Sequence, residues 1–569
     1  MKAAQEEQFY REILSHLLVK GIDKKTITTQ KIILCKQYGL KEVPTDIQIL
    51  LHATPEQLKQ LRLVTKPMRT QSGVAPIALM TAPHNCPHGK CTFCPGGINS
   101  PFGDVPQSYT GHEPSTMRAI RNNYDSYLIT MNRLEQYTLL GQCPEKAEII
   151  IMGGTFPAMP LAYQEEFITN TFKALNDFEM FYHNGEFDIL AFKTFFELPG
   201  EKGNIERVQR LKQKLLALKT TVTQTPTTLE QEQQRNETAR VRCVGLTIET
   251  KPDWGFAKHG QDMLRFGCTR VEIGVESVYD EVLKHVHRGH TVAETKKSIQ
   301  ELKDLGFKIH AHYMPGLPLT THDMDLEGMK KLFSDSEYRP DMLKLYPTMV
   351  SLGTGLWHDW KAGKFIPLTT EEAAKLIAEF KPFVPEYCRI MRIQRDVPTK
   401  FWSAGVGMTN LRQYIAEKYK PKCRCIRCRE PGTRAIDYNS VQMRVQEYTA
   451  SKGTEFFISV EDTKNDIIIG FCRLRFPSQC LREEITPDTA LIRELHVYGL
   501  ATALDSTGLV QHRGYGKKLL QKAEELALQH GKKKMVVISG VGVREYYYKQ
   551  GYAREGVYVS KILESKNPI

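Results

Sequence analysis

Six short apolar and β-branched runs recur between positions 73 and 400: "IALMTA", "AEIIIMGG", "CVGLTIET", "RVEIGVES", "KIHAHYMPG" and "MLKLYPT". Helical patterns such as "TVAETKKSIQELKDLG" separate several of them. This alternation constrains the fold more than any other feature. It closes best as right-handed βα units on a parallel sheet or partial barrel, so the expected class is α/β. Ligand groups in such folds gather at the carboxyl ends of strands. Gly153 and Gly154 follow "EIIIM" there, and Glu249 and Glu276 fall at the ends of the next two runs.

Other regions break this rhythm. Residues 1–72 read as short helices, with Thr54 and Pro55 forming a cap and first-turn pair. Residues 183–240 include "LKTTVTQTPTTLEQEQQRNETAR", which is polar and low in aromatics, and they are expected to form an exposed, mobile insertion. Residues 401–440 form a basic, cysteine-bearing connector. From 441 to 569 strands dominate around one long helix, "GYGKKLLQKAEELALQHG", which predicts a separate α/β domain.

The chain has thirteen cysteines, and six of them fall in two tight groups. No run of eighteen apolar residues exists, and the start lacks the basic-then-apolar order of a secretion signal. A cytoplasmic chain without membrane contact is expected, where clustered thiols read as metal ligands. Cys86, Cys91 and Cys94 have the spacing C-x4-C-x2-C on the loop after "PIALMTA". Three thiolates suit a 4Fe-4S cluster with one iron left open to chelate S-adenosylmethionine, while Gly153 and Gly154 let the backbone approach that ligand. The alternative is zinc, with His84 or His88 as a fourth ligand. Cys423, Cys425 and Cys428, in "CRCIRC", read as a structural zinc knuckle, with Cys243, Cys480, a histidine or water completing it. A second iron–sulfur centre is the alternative there.

The stretch from Gln511 to Gly516, with Arg513, Gly514 and Tyr515 inside it and Lys517 after it, fits the Q/R-x-x-G-x-G/A pattern of an acyl-CoA pyrophosphate cradle at a helix start. Glu494, Leu495, His496 and Val497 precede it on a strand whose edge can pair with the pantetheine amides. Tyr547, in "REYYYKQGY", is a candidate general acid for the leaving thiolate, and the alternative is an aromatic core segment. Net charge is +12. Residues 1–72 carry twelve Lys/Arg against seven Asp/Glu, and residues 412–429 carry seven against one. Such patches suit either a phosphate-rich partner or a solvated basic surface.

The motifs "CPHGKCTFCPGG", "SYTGHEPSTMRAIR", "IIMGGTF", "GLTIETKPD", "GCTRVEIGVESVYD", "RGHT", "LKLYPT" and "IRELHVYG" together resemble the catalytic subunit of Elongator. The resemblance implies a radical S-adenosylmethionine domain joined to an N-acetyltransferase (GNAT) domain, acting on carbon 5 of the tRNA wobble uridine with acetyl-CoA. It implies Cys86, Cys91 and Cys94 as cluster ligands, with Gly153, Gly154, Glu249 and Glu276 toward S-adenosylmethionine. It also implies Lys308 and Tyr346 in a tRNA-facing active site and Lys146 in acyl-CoA binding, where the plainer readings are a snorkelling lysine and a barrel-rim tyrosine. The implied reaction takes a hydrogen from the acetyl methyl group, joins that carbon to the uracil ring and leaves a carboxymethyl group. The rival readings are a protein lysine acetyltransferase with a structural iron–sulfur cluster and a non-catalytic tRNA-binding scaffold. A homodimer and further Elongator subunits are compatible with the sequence.

Overall fold

The computed structural model describes residues 2–18, 24–40, 42–44, 46–60, 73–140, 142, 144–200, 204–221, 227–395, 397, 399–432, 434–498 and 514–564. Seven strands form one parallel sheet: β1 (Val74–Met80), β2 (Lys146–Met152), β3 (Arg242–Thr250), β4 (Arg270–Glu276), β5 (Lys308–Tyr313), β6 (Met342–Leu345) and β7 (Arg389–Ile393). They lie side by side in chain order, as successive right-handed crossovers require. The first six coincide with the six recurring runs. The seventh, "RIMRI", carries arginine at two of five positions, so it lacks the apolar signature.

One face of this sheet is apolar and packs on the surrounding helices. The other face is charged. Register places Thr247, Arg270 and Lys308 in one row. Glu249, Glu272, His310 and Met342 form the next, and Gly274, His312, Lys344 and Arg392 the one beyond. Closed parallel barrels fill this space with branched apolar side chains. Here every second residue of β4 and β5 brings polarity inward instead, a pattern that suits a reaction chamber.

The helices Lys2–Leu17, Lys24–Gln37 and Asp46–His52 enclose a small core of their own, including Phe9, Ile13, Leu34 and Ile49. Thr54 and Gln57 exchange capping hydrogen bonds at the start of the helix Pro55–Gln60, as the sequence predicts. Among the described residues, no helix is long and apolar enough to cross a membrane.

The expectation for 183–240 is corrected. The described part carries the helices Ile189–Phe195, Ile205–Thr221 and Leu229–Thr238. Glu232 and Asn236 are fully buried. Asn176 donates to Glu232, and Asn236 donates to Asn176 and to the Val241 carbonyl. The polar composition misleads because these side chains satisfy one another inside the protein.

The second half is a seven-stranded sheet: β8 (Val441–Ala450), β9 (Gly453–Asp462), β10 (Ile467–Phe476), β11 (Thr489–Val497), β12 (Lys534–Val537), β13 (Ala553–Glu555) and β14 (Tyr558–Ile562), in the order β8-β9-β10-β11-β12-β14-β13. β11 pairs with β12 only from Thr489 to Ile492, yet pairs with β10 as far as Val497. The parallel pair therefore splays open after Ile492. A bulge at Arg493 begins the splay and turns that side chain out of the domain.

Candidate active site

The carboxyl ends of the barrel strands gather the cysteine loop. Ser108 donates its backbone N–H to Cys94 Sγ at 3.0 Å. Arg288 reaches Cys91 Sγ at 3.7 Å, and its other nitrogen donates to the Gly274 carbonyl and lies 3.4 Å from Glu276. Burial works against the Arg288 charge, but Cys91 and Glu276 outweigh it and hold the group protonated. Burial pushes the Cys94 thiol up to about 11, and burial also raises Cys86.

The donor set fits a polynuclear cluster better than a single ion. Sulfurs about 2.3 Å from one zinc lie within about 4 Å of each other. Cys423, Cys425 and Cys428 come near that spacing, with Cys425 and Cys428 Sγ 3.6 Å apart and all three within 4.8 Å, whereas Cys86, Cys91 and Cys94 do not form so tight a group. Beside the loop, Gly153 has φ +133, and a Cβ there would lie 2.1 Å from Thr81 Oγ1. That hydroxyl is buried without a partner. A Cβ on Gly154 would stand 3.7 Å from Cys86 Sγ. The bare backbone and the orphan hydroxyl suit the amino-acid end of S-adenosylmethionine.

Deeper in, Tyr109 donates to Glu249 at 2.9 Å. Burial, then the nearby Glu272, raises the Glu249 carboxyl and favours its neutral form. Arg395 donates to the Ser108 carbonyl at 2.6 Å and lies over the rings of Tyr109 and Tyr346. Tyr346 is thus at the same end as the cysteines.

Lys308 is at the other end. It opens β5, where burial lowers it and Glu494 of the second half is its strongest favourable charge. Lys308 and Tyr346, both expected in a tRNA-facing site, therefore stand at opposite ends of β5, about 17 Å apart at about 3.3 Å per residue. Lys146 also lies at this amino end, beside Arg242 in register. Arg242 in turn contacts Glu545 of the helix Arg544–Tyr548.

The second half closes the amino end of the barrel. Arg493 donates to both oxygens of Asp341, at 2.7 Å each, and to the Phe307 carbonyl. Arg473 donates to Glu494 and to the Tyr387 carbonyl. Glu494 faces Lys308, Leu495 is half-buried, and His496 stacks on Phe471 at 5.7 Å. Val497 ends β11 near Gly516. Gly514 has φ +78 and precedes the helix Tyr515–Gln529, whose first turn has no side-chain cap. Backbone amides at a glycine-capped helix start are the kind of group that binds an anion. Tyr515 is half-buried and Lys517 exposed. Gln511 and Arg513 lie outside the described residues. Tyr547 is buried, and burial, then Cys472, raises its hydroxyl strongly. The neighbouring Tyr546, which the motif reading passes over, has a buried hydroxyl without a partner, 3.0 Å from where a Gly516 Cβ would be.

Residues 6–71 match the ELP3 N-terminal domain, 80–327 the radical SAM superfamily, 340–420 the radical SAM C-terminal domain and 428–552 the acetyltransferase (GNAT) family. A tRNA uridine(34) acetyltransferase of Methanocaldococcus jannaschii is 43% identical over 562 residues, covering 96% of this chain and 95% of that protein. Elongator complex protein 3 of Homo sapiens is 38% identical, covering 97% and 95%. The chain belongs to the Elongator complex protein 3 family. The solved Methanocaldococcus infernus Elp3 with an N-terminal deletion superposes with a TM-score of 0.69 at 38% identity, covering 86% of this chain and 100% of that one.

In this family member the knuckle joins the two halves. Cys425 precedes the turn Ile426–Arg429, whose first N–H donates to the Cys388 carbonyl at the end of the barrel. Arg429, fully buried, pairs with Glu461 at 3.0 Å. Cys243 is no ligand here, because its thiol donates to Gly245 inside the barrel. Cys480 is exposed on a loop that packs on the helix Ala257–Arg265. Several cations of the basic segment have carboxylate partners at the surface. Arg424 pairs with Glu386 and Asp466, Arg427 with Glu430 and Lys418 with Glu371, while Arg412 donates to the Ile390 carbonyl. Lys420 and Lys422 are exposed, as are Lys418, Arg424 and Arg427.

Proposed function

We propose that this chain is an acyltransferase that modifies the wobble uridine of tRNA at carbon 5, drawing the two-carbon unit from acetyl-CoA and leaving a carboxymethyl group. The observation that carries this reading is one polar barrel interior with a cysteine loop at its carboxyl end and a splayed acyl-CoA strand at its amino end. The relative named tRNA uridine(34) acetyltransferase, matched over nearly its whole length, supports it.

When bound at Cys86, Cys91 and Cys94, a 4Fe-4S cluster supplies the one-electron cleavage of S-adenosylmethionine that begins radical chemistry. The chain's own residues do the rest of the positioning. Gly153, Gly154 and Thr81 receive the amino-acid end of S-adenosylmethionine. Arg288 supplies positive charge beside the thiolates. Arg395, Tyr109 and Tyr346 form the wall that an incoming base meets. β11 and the glycine-led start of the helix Tyr515–Gln529 hold acetyl-CoA, so that its acetyl group points past Glu494 and Lys308 into the barrel. Zinc at Cys423, Cys425 and Cys428 fixes the halves together. The twelve described cysteines are free thiols, which suits a reducing cytoplasm.

The test is mass spectrometry of wobble nucleosides after the reduced, iron-loaded protein meets tRNA, S-adenosylmethionine and acetyl-CoA. 5-Carboxymethyluridine is expected only with all three. Acetylated lysines on added protein, with unmodified uridine, would overturn the proposal.

A further inference from the structure

The middle of the barrel holds a cluster that neither end uses. Glu272 is hydrogen-bonded by His312 and Lys344 and faces a third group, His310, without a formed hydrogen bond. His310 Nδ1 lies 2.9 Å from Oε1, His312 Nε2 lies 3.1 Å from Oε2, and the Lys344 ammonium bonds that same Oε2. Glu272 is 2% exposed and His310 is fully buried, whereas the side chains of His312 and Lys344 keep 12% and 13% of their surface open, so His312 is the imidazole that meets the chamber. Its ring is 5.5 Å from that of Tyr346.

Two histidines and a carboxylate within 4.8 Å are also the donor set of a divalent metal site. Lys344 argues against that assignment, because its ammonium holds the oxygen a cation would need. Burial acts to raise Glu272, but Lys344 and then His310 outweigh it, so the carboxylate stays ionised. An ionised carboxylate facing Nε2 keeps the proton on that nitrogen and leaves Nδ1 as an acceptor. This is the arrangement in which a carboxylate orients an imidazole base.

We propose that His312, oriented by Glu272, is the general base that activates water for cleavage of the thioester once the acetyl carbon is joined to the uridine. The idea rests on the proposed function, which brings acetyl-CoA from the amino end and the base from the carboxyl end. The thioester then enters the interior that His312 faces. His312 Nδ1 takes a proton from water as the oxygen bonds to the carbonyl carbon. The carbon–sulfur bond breaks, and the departing thiolate takes the proton from the imidazolium. The products are a carboxylic acid on the tRNA and free CoA, with no change of oxidation state. Glu272 is a positioning residue, and Lys344 keeps it charged.

The experiment compares full-length, iron-loaded wild type with His312→Gln and His312→Asn, given tRNA, S-adenosylmethionine and acetyl-CoA. General-base catalysis contributes about 10²–10⁴-fold. The variants should release CoA at least about 100-fold more slowly while forming 5′-deoxyadenosine within about twofold of wild type, and a tRNA–CoA thioester conjugate should accumulate in the mass spectrum. CoA release at the wild-type rate would overturn the base assignment alone. So would a stoichiometric metal, beyond that held by the two cysteine groups, that disappears in both variants. A wild-type protein that forms no 5′-deoxyadenosine would overturn the proposed function and this inference together.

Discussion

At the residue scale, the decisive positions are those where a side chain is missing or unpartnered. Gly153 shows both conditions: its backbone is in a region that disfavours L side chains, and Thr81 fills the space a Cβ would take. Gly153→Ala should weaken S-adenosylmethionine binding at least about tenfold and destabilise the fold by about 1–3 kcal/mol through backbone strain. Equilibrium dialysis and thermal unfolding check both effects, and wild-type affinity in the alanine variant would rule out the backbone-approach role. Gly153, Gly154 and the three cysteines are legible in the sequence because spacing and strand-end position mark them. Arg288, Arg395 and Tyr109 are not, since a lone arginine or tyrosine carries no sign of what it will face. Glu272, His310, His312 and Lys344 left a fainter trace. "RVEIG" and "KIHAH" put Arg270, Glu272, Lys308, His310 and His312 at alternate positions of otherwise apolar strands, and period-two polarity on a covered parallel strand marks an interior that is not a plain core.

At the element scale, six strands of the barrel could be read from their apolar runs, and β7 could not, because its arginines serve contacts formed only in the folded chain. Arg389, for example, donates to Glu430 and to Tyr498 of the second half. The insertion was misread for a related reason. Its polarity meets inside the protein, where Glu237 pairs with Arg544 and accepts from Tyr548 on the helix that carries Tyr547. It therefore braces the helix Arg544–Tyr548. The basic segment before the knuckle separates composition from function in the same way. Lys420→Glu with Lys422→Glu should lower tRNA affinity and reduce its salt dependence by about two phosphate contacts, with acetyl-CoA affinity unchanged. Binding titrations at several salt concentrations check this, and an unchanged salt slope would place the RNA contact elsewhere. Arg424→Glu is a poor probe of RNA binding, because it sets like charges against Glu386 and Asp466.

At the scale of the whole molecule, two domains share one chamber because a buried ionic seam fixes them together. Asp304, Asp341 and Glu455 face Lys303, Arg473, Arg475 and Arg493, all essentially without exposure. Removing one member of such a network strands a buried charge and costs about 3–5 kcal/mol. A seam of this kind need not add net stability, but it specifies a single docking geometry. That geometry sets the splayed β11 against the amino end of β5, where Glu494 meets Lys308. On the proposed function, the acetyl group and S-adenosylmethionine react in this one interior. Acetyl-CoA deuterated at the methyl group tests it most directly. With tRNA present, the 5′-deoxyadenosine recovered from the reaction should carry one deuterium. Formation of 5′-deoxyadenosine without any deuterium would contradict the shared chamber, because the hydrogen would then come from a source other than the acetyl methyl group.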